Sequence, residues 1–312
     1  MIVVSEFMDA LAIETLRAAL EVRYEPGLHG RPDDLAECLT NARALIVRNR
    51  TQVTSGLLSH APTLACVGRL GVGMENIDVA ACEARGIEVF PATGANARSV
   101  AEYVVTAALM LVRQAWFATP EVLAGGWPRE RAGAGQELAG KRLGLVGYGT
   151  IAQETARLAR GLGMEIAACD PYLAEAAPAW AEVRRLPLGA LLEASDVVSL
   201  HVPLTDGTWH LIDSEPLNRM KPGSILINSA RGGVVDAAAL AAALKSGHLG
   251  GAALDTFETE PLDEEAAAVF AGAPNLILTP HIAGVTQQSN ARVSAMVARK
   301  VLGHLQSIGT ET

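Results

Sequence analysis

Residues 143–152, which read LGLVGYGTIA, decide the fold of the second half of this chain. The first four are apolar and predict a buried strand, and the last residues begin a predicted helix. Gly147 permits the tight turn between them, and Gly149 lets backbone N–H groups approach an anion at the helix N-terminus. Ala152 occupies the third position of the G-x-G-x-x-G pattern, where a methyl group still permits close packing of helix on strand.

An acidic residue follows the next predicted strand. Asp170 lies 21 residues after Gly149 (170 − 149), close to the separation that brings a carboxylate to the adenosine ribose of a dinucleotide. The surrounding tetrad CDPY contains no arginine that would receive a 2′-phosphate. The glycine pattern alone is a weak signal, but a strand, a turn, a helix and an acid in this order predict a dinucleotide site that prefers NAD to NADP.

Short apolar runs bounded by turn residues recur along the whole chain and alternate with helical patterns. This arrangement predicts an α/β protein with two doubly wound parallel sheets. The predicted strands are residues 2–4, 45–47, 65–67, 87–89, 143–146, 166–169, 197–200, 225–227, 252–254 and 276–278.

Two long helices are predicted, one that ends near Gln114 and one over residues 287–306. The first begins at residue 96 or at Ser99, because Ser99 and Glu102 have the spacing of a capping box. Between the first helix and the next strand, residues 115–140 are rich in glycine and contain few helix or strand signals. We expect this segment to be an arm that packs on a second subunit of a homodimer.

The predicted elements divide the chain into two domains. The first comprises residues 1–97 and, because the last helix can return to it, residues 286–312. The second comprises residues 98–285 and carries the glycine-rich turn.

The composition excludes several classes of protein. Half of the 312 residues are hydrophobic and only 19% are charged, which excludes a disordered chain. A net charge of −9 argues against nucleic acid or an anionic membrane as the main partner. No apolar run is long enough for a membrane span, and the N-terminus has no basic leader region. The four cysteines have neither CxxC nor metal-ligand spacing, so we expect reduced thiols, no metal and a cytoplasmic location.

Three polar segments follow the later strands of the second domain. They are NSARGGVVD at 228–236, ALDTFETEP at 253–261 and PHIAG at 280–284. The carboxyl ends of parallel strands line the ligand crevice of an open sheet. The strand assignment therefore predicts that Arg231, Glu260 and His281 lie on the same rim as the glycine-rich turn; these three segments carry the candidate catalytic residues.

Together these motifs resemble the D-isomer-specific 2-hydroxyacid dehydrogenase family, most of all its 3-phosphoglycerate dehydrogenase branch. The resemblance covers nearly the whole chain, and EFMD, RPDDL and FPATGAN are also similar to a sulfolactate dehydrogenase subgroup. Only 28 residues follow PHIAG (312 − 284), so we expect no regulatory domain. The motifs are IVRNRTQV from 46, RLGVGMENID from 69, NARSVAE from 96, VGYGTIA from 146, HVPLT from 201, NSARGG from 228, DTFETEP from 255 and PHIAG from 280.

The resemblance implies a flavodoxin-like substrate domain, a Rossmann NAD domain and a catalytic triad. Arg231 would bind the substrate carboxylate, for which a planar guanidinium is suited. His281 would exchange a proton with the substrate oxygen as hydride moves, because imidazole titrates near neutral pH. Glu260 would pair with His281, hold its orientation and favour its protonated form.

The resemblance also implies the remaining contacts of a small 2-hydroxy or 2-keto acid and of NAD. The cofactor contacts would be Gly147, Tyr148, Gly149, Thr150, Ile151, Asp170, His201, Val202, Pro203, Thr208, Ala230, Asp255 and Gly284. The substrate contacts would be Arg48, Val72, Gly73, Asn96, Arg129 and Arg131.

The identity of the substrate stays open at this point. If Arg48, Arg129 and Arg131 converge, they would bind an anionic tail, as in 3-phosphoglycerate or sulfolactate; the alternative is that they are solvated surface charges. Glyoxylate or hydroxypyruvate reduction is the main other activity, and phosphite oxidation is also compatible with the triad. Formate is disfavoured because formate dehydrogenases of the family carry glutamine where this chain has Glu260. An NAD(H)-sensing corepressor is the alternative outside enzymes.

Overall fold

The computed structural model describes residues 1–308, and the chain divides into two compact units. Unit 1 comprises Met1–Asn96 and the segment from Val285 onwards, and unit 2 comprises Ala97–Gly284. The predicted first domain extends to residue 312, so its last four residues lie outside this description.

The regular elements are twelve strands and thirteen α-helices within residues 1–308. The strands are β1 Ile2–Val4, β2 Val22–Tyr24, β3 Ala44–Val47, β4 Cys66–Arg69, β5 Glu88–Pro91, β6 Arg142–Val146, β7 Glu165–Cys169, β8 Arg184–Arg185, β9 Val197–Leu200, β10 Ile225–Asn228, β11 Gly251–Leu254 and β12 Leu276–Leu278. The helices are α1 Ala10–Arg17, α2 Pro32–Leu39, α3 Ser55–Ser59, α4 Val79–Glu83, α5 Ala97–Arg113, α6 Thr119–Leu123, α7 Arg129–Gly133, α8 Thr150–Arg160, α9 Leu188–Ala194, α10 Ser214–Arg219, α11 Ala237–Lys245, α12 Glu264–Ala268 and α13 Gln287–Ser307.

Unit 1 contains a five-stranded parallel sheet in the order β2-β1-β3-β4-β5, the flavodoxin-like order. Both faces of the sheet are covered, which is why β3 is a continuous apolar run rather than an alternating one. Val4 and Ile46 face a core that includes Val297 of α13. Val3 and Leu45, one residue away along their strands, face the opposite core. The C-terminal helix is thus part of this unit.

Unit 2 contains a seven-stranded parallel sheet in the order β12-β11-β10-β9-β6-β7-β8. The strand order reverses between β6 and β9, as in Rossmann folds. The turn from β6 into α8 lies at this reversal. The two predicted doubly wound parallel sheets are therefore confirmed.

The two strands that the sequence did not predict are edge strands. β2 has only partly buried or exposed residues, and both residues of β8 are exposed. Edge strands of this kind lack the apolar run that identifies a buried strand, because only part of their surface meets the core.

The predicted capping box at the start of α5 is wrong. The helix begins at Ala97, so Ser99 lies within its first turn and is buried. Glu102 accepts a hydrogen bond from Arg98 Nε at 2.6 Å instead of reaching back to a helix cap. The last helix, by contrast, has a capping box at Thr286, where Ser289 provides the reciprocal hydrogen bond.

The expected irregular arm over residues 115–140 contains more helix than its glycine content suggested. It consists of a 3-10 turn at Ala115–Ala118 followed by α6 and α7. Large apolar side chains are exposed along it, and Leu123 is 83% and Trp127 79% accessible. The helices are short because Gly125, Gly126 and Pro128 separate them.

Among residues 1–308, no single helix is long and apolar enough to cross a membrane. One bent pair, Ala97–Arg113 with Ala115–Leu123, meets the criteria of length and composition when taken together, with a 60° bend at the break.

Candidate active site

The glycine-rich turn is shaped to receive a phosphate group. Gly147 has φ of +86°, and a Cβ there would lie 2.8 Å from the carbonyl oxygen of His201, so only glycine fits. Gly149 is the N-cap of α8 and has open space around its Cα, and no side chain caps the helix. The first N–H groups of α8 therefore remain available to an anion, and the turn fits the pyrophosphate of NAD.

Asp170 stands beside this turn at the end of β7. Its Oδ2 accepts a hydrogen bond from the N–H of Tyr148 at 2.8 Å, and its Oδ1 accepts from Tyr172 and Leu173 at 2.9 and 3.0 Å. These three bonds orient the carboxylate while leaving acceptor capacity for a ribose hydroxyl. The sequence expectation placed Tyr148 at the cofactor; its ring is buried and stacks on Trp180 at 5.3 Å, so only its backbone faces the turn.

The segment after β9 forms the other wall of the turn. His201 lies against Gly147 through its carbonyl group, and its Nε2 is 3.0 Å from Ser199 Oγ. Desolvation lowers the pKa of His201 to about 4, so this imidazole is neutral at physiological pH. The hydroxyl of Thr208 donates to the carbonyl of Pro203 at 2.6 Å and holds the loop in a tight turn.

His281 and Glu260 form a direct pair. Nδ1 of the imidazole is 2.7 Å from Oε2 of the carboxylate, and Oε1 accepts the N–H of Phe257 at 3.0 Å. The side chain of His281 is 51% exposed, so Nε2 is the ring nitrogen that can meet a substrate. The backbone of His281 has φ of +56°, an uncommon conformation for a residue with a side chain.

A buried carboxylate holds the loop that carries this histidine. Asp255, only 1% exposed, follows β11 and accepts the hydroxyl of Thr279 at 2.6 Å. It also accepts the N–H groups of Ile282 and Ala283, both at 2.8 Å. The hydroxyls of Tyr103 and Thr279 lie 2.6 Å apart and extend the network. The expectation for Asp255 was a cofactor contact, and the contacts seen here are those of a residue that shapes the histidine loop.

The loop after β10 carries Arg231. The side chain of Asn228 donates to the carbonyl of Arg231 at 2.8 Å and accepts the N–H of Ala230 at 3.1 Å. At Gly232 a Cβ would lie 1.9 Å from the carbonyl carbon of Phe257, so this loop touches the loop that ends in Glu260. The close approach, which glycine alone permits, brings the loops of two candidate catalytic residues together.

One pair near the triad was not recognised from the sequence. His210 Nε2 is 2.8 Å from Glu258 Oε1, and the N–H of His210 donates to the carbonyl of Gly233 at 2.7 Å. His210 thereby ties the loop after β9 to those after β10 and β11. The pair was not readable from residue spacing, because His210 and Glu258 are 48 residues apart. The backbone of His210 has φ of +47°, and the ring of Trp209 stacks on its imidazole at 4.6 Å.

Two hydroxyl groups in the loops after β10 and β11 are available to hydrogen-bond a ligand. The Oγ of Ser229 and the Oγ1 of Thr256 are buried, and neither forms a hydrogen bond within residues 1–308. Buried hydroxyls normally have a partner. Together with the open N-terminus of α8, they show that the rim of unit 2 fits a cofactor rich in polar groups.

The predicted substrate contacts of unit 1 lie at the ends of adjacent strands. Arg48 follows β3, donates from Nη2 to Asn290 Oδ1 at 2.9 Å, and has its Cζ 6.0 Å from the centre of the Phe7 ring. Burial lowers the pKa of Arg48, and the nearby Glu6 carboxylate opposes this effect. Val72 and Gly73 follow β4 and are accessible or half-buried.

The other predicted substrate contacts lie elsewhere. Asn96 stands at the end of the first stretch of unit 1, and its Oδ1 is buried without a hydrogen bond in the described chain. Arg129 and Arg131 are exposed on the arm at α7, where Arg131 pairs with Glu121. The structure therefore places these two arginines on the arm, which belongs to unit 2.

Known proteins have similar sequences and the same fold. The D-isomer specific 2-hydroxyacid dehydrogenase, NAD binding domain, matches residues 105–283, more than half of the chain. The (S)-sulfolactate dehydrogenase of Chromohalobacter salexigens is 53% identical over 309 residues, covering 97% of this chain and 98% of that protein. The hydroxypyruvate reductase of Thermotoga maritima is 37% identical over 304 residues, 97% of each. The D-lactate dehydrogenase of Aquifex aeolicus complexed with NAD and lactic acid has a TM-score of 0.83 and 28% identity, covering 98% of this chain and 95% of that one.

The chain belongs to the D-isomer specific 2-hydroxyacid dehydrogenase family. It is an NAD-dependent oxidoreductase that acts on the CH–OH group of 2-hydroxyacids. The resemblance inferred from the ordered motifs and the use of NAD as cofactor are both confirmed. The preference for NAD over NADP that the sequence around Asp170 predicts stays a prediction.

The contact at Gly232 leads to a first prediction. Gly232→Ala places a methyl group against the Phe257 carbonyl and forces the two loops apart, so we expect kcat/KM to fall by about 10²-fold, the effect of a displacement of roughly 1 Å. Steady-state kinetics of keto acid reduction measure it. Gly303→Ala is the matched control, because a Cβ at Gly303 meets nothing within 4 Å. Equal activity of the two variants would contradict the contact.

Proposed function

We propose that this enzyme interconverts sulfolactate and sulfopyruvate with NAD, and that unit 1 is its substrate-binding domain. The observation that supports the substrate best is the 53% identity, over almost the full length of both chains, to an (S)-sulfolactate dehydrogenase. The identity to the hydroxypyruvate reductase, 37% over a similar length, makes reduction of small keto acids the second candidate.

The (S) descriptor of that relative's substrate is compatible with a family specific for D isomers. In lactate the carboxylate takes priority over the methyl group at C2. In sulfolactate the sulfur-bearing CH₂ takes priority over the carboxylate, so the same spatial arrangement changes its descriptor from R to S. The proposed substrate thus presents its hydroxyl, hydrogen and carboxylate to the site as D-lactate does.

Each of the three candidate catalytic residues has a separate role in the proposed reaction. The guanidinium of Arg231 binds the substrate carboxylate through paired hydrogen bonds. Nε2 of His281 takes the proton of the C2 hydroxyl during oxidation and returns one to the C2 oxygen during reduction. Oε2 of Glu260 lies 2.7 Å from Nδ1 and fixes the orientation of the ring. NAD, when bound, would supply the acceptor for the hydride that leaves C2 in the oxidative direction.

Recognition of the sulfonate tail is assigned to Arg48. Its side chain lies among Asn290 and Phe7 of the same unit, which restricts its conformations before a substrate arrives. A guanidinium with its fork of N–H donors is suited to a tetrahedral oxyanion such as sulfonate or phosphate. A substrate without a tail has no group for Arg48 to bind.

The second prediction tests this assignment. We expect NADH consumption to be fastest with sulfopyruvate in a panel that includes phosphohydroxypyruvate, hydroxypyruvate, pyruvate and glyoxylate. Arg48→Ala should lower kcat/KM for sulfopyruvate by about tenfold or more, the value of a charge-assisted hydrogen bond, and leave glyoxylate reduction nearly unchanged. Equal losses for both substrates would remove the tail-binding role. Comparable weak rates across the panel would favour the small-keto-acid reductase.

The third prediction concerns the proton donor. His281→Ala should lower turnover by about 10²–10⁴-fold, the usual contribution of a positioned general acid. Stopped-flow or steady-state NADH absorbance measures it, and His60→Ala, an exposed histidine of unit 1, is the control. A loss smaller than about tenfold would mean that another group supplies the proton.

We also propose that the enzyme is a homodimer that uses its arm as the interface. Leu123 and Trp127 are among the most exposed apolar side chains of the chain, and such patches mark association surfaces. The fourth prediction is a mass of two chains by light scattering, reduced to one chain in the Leu123→Asp, Trp127→Asp double variant. Leu11→Asp, which alters an isolated exposed leucine outside the arm, is the control. A monomeric native protein would contradict the proposal.

A cytoplasmic location is the last part of the proposal, and the cysteines support it. All four are free, and three of them are buried. Burial raises the pKa of Cys66 to about 12, which keeps that thiol protonated and unreactive. Thiols of this kind are typical of proteins in reducing compartments.

A further inference from the structure

A buried polar network lies beneath the substrate-binding rim of unit 1. Ser5, Glu6, Thr51 and Asn76 are 0, 4, 2 and 8% exposed, and they come from the segments after β1, β3 and β4. These three strands are neighbours in the sheet, so their following loops meet at one rim. Buried polar groups are tolerated where they are hydrogen-bonded, and each of these four side chains has at least one hydrogen bond to another of them or to the backbone.

Glu6 is the centre of this network. Its Oε1 accepts the N–H groups of Arg48 at 2.8 Å and of Thr51 at 3.0 Å. Its Oε2 accepts those of Asn49 at 3.3 Å and Arg50 at 3.1 Å. Four consecutive N–H groups thus converge on one carboxylate.

This geometry keeps Glu6 ionised. Burial alone raises the pKa of a carboxyl group, but the hydrogen bonds from Thr51, Arg48 and Arg50 outweigh it, and the pKa of Glu6 lies below its ordinary value. Backbone donors stabilise the negative charge, and the guanidinium of Arg48 forms no hydrogen bond to Glu6 among residues 1–308; its Nη2 instead donates to Asn290.

The network continues to the loop after β4. The hydroxyls of Ser5 and Thr51 lie 2.8 Å apart, and Asn76 Nδ2 donates to the carbonyl of Thr51 at 2.7 Å. The N–H of Val53 in turn donates to the carbonyl of Asn76 at 2.8 Å. The loop that carries Arg48 is therefore joined to the loop of the predicted substrate contacts Val72 and Gly73.

We propose that Glu6 is a positioning residue that sets the preference of this enzyme for substrates with an anionic tail, by holding the backbone of Arg48 and its three successors in the orientation that presents the guanidinium. The proposal rests on the proposed tail-binding function of Arg48. An arginine in a loop is normally flexible, but here both the backbone and the side chain of Arg48 are held before the substrate binds. Less conformational freedom is therefore lost on binding, which allows Arg48 to distinguish substrates with an anionic tail from those without one.

The fifth prediction tests Glu6 with an isosteric change. In Glu6→Gln the volume is kept, but an amide NH₂ replaces one acceptor oxygen and opposes one pair of backbone N–H groups. We expect KM for sulfopyruvate to rise about tenfold or more, with kcat/KM for glyoxylate within about twofold of the native enzyme. Glu37→Gln, an exposed glutamate of the same unit, is the matched control and should leave both values unchanged.

The measured quantity is the ratio of kcat/KM for sulfopyruvate to that for glyoxylate in one preparation. This ratio does not depend on the folded fraction, so partial unfolding of a variant does not mimic the effect. If Glu6→Gln is insoluble, Glu6→Asp replaces it, because the shorter side chain withdraws both oxygens from the loop; the ratio should fall in the same direction.

Each outcome decides one point. A lowered ratio in Glu6→Gln, together with a lowered ratio in Arg48→Ala, supports the proposal. A lowered ratio in Arg48→Ala but an unchanged one in Glu6→Gln overturns the role of Glu6 alone. An unchanged ratio in Arg48→Ala overturns tail binding by Arg48 and the role of Glu6 with it. Equal losses for both substrates in Glu6→Gln would show general structural support and overturn the specificity role.

Discussion

The conformation of the loop that carries His281 depends on the hydrogen bonds of one buried carboxylate, that of Asp255. It accepts one hydroxyl and two backbone N–H groups from the loop after β12, and so holds His281 in a left-handed backbone conformation. Such a conformation costs about 1–3 kcal/mol and persists only where the surroundings enforce it. A polar side chain that is 1% exposed is tolerated because these three donors replace its hydrogen bonds to water.

In unit 1 a buried carboxylate, that of Glu6, likewise holds the loop after β3. In both units the strands are parallel, and parallel strands deliver several irregular loops to one rim. A loop that has no sheet or helix hydrogen bonds of its own needs another source of order. Asp255 and Glu6, which follow buried strands, order these loops through hydrogen bonds to their backbone N–H groups. The contact at Gly232 adds a steric constraint between two neighbouring loops. The loops that carry the side chains proposed to bind and convert the substrate are thus held by buried carboxylates, to which we assign no part in the chemistry.

The sequence predicted most of the strands and the segments of the site, and its errors have identifiable causes. Strands β1 and β9 were predicted residue for residue, because interior strands of a covered sheet are short continuous apolar runs. The edge strands β2 and β8 lack that run. Ser99 is a residue type that often caps helices, but the helix already begins at Ala97. The prediction was wrong because serine also occurs inside helices, so its presence does not by itself mark a helix start. The pairing of His210 with Glu258 joins residues 48 positions apart and has no local signature.

By itself the sequence determined the fold class, the dinucleotide site and the order of the polar segments, because these follow from local patterns: apolar runs, glycines that allow close approach, and an acid at a fixed distance. Only the tertiary structure decided which polar groups meet. The bonds of Asp255 to the histidine loop, of Glu6 to four backbone N–H groups, and of His210 to two other loops join segments that are distant along the chain. Hydrogen bonds depend on distances of a few tenths of an ångström and on direction, and the packing of the whole sheet sets those quantities.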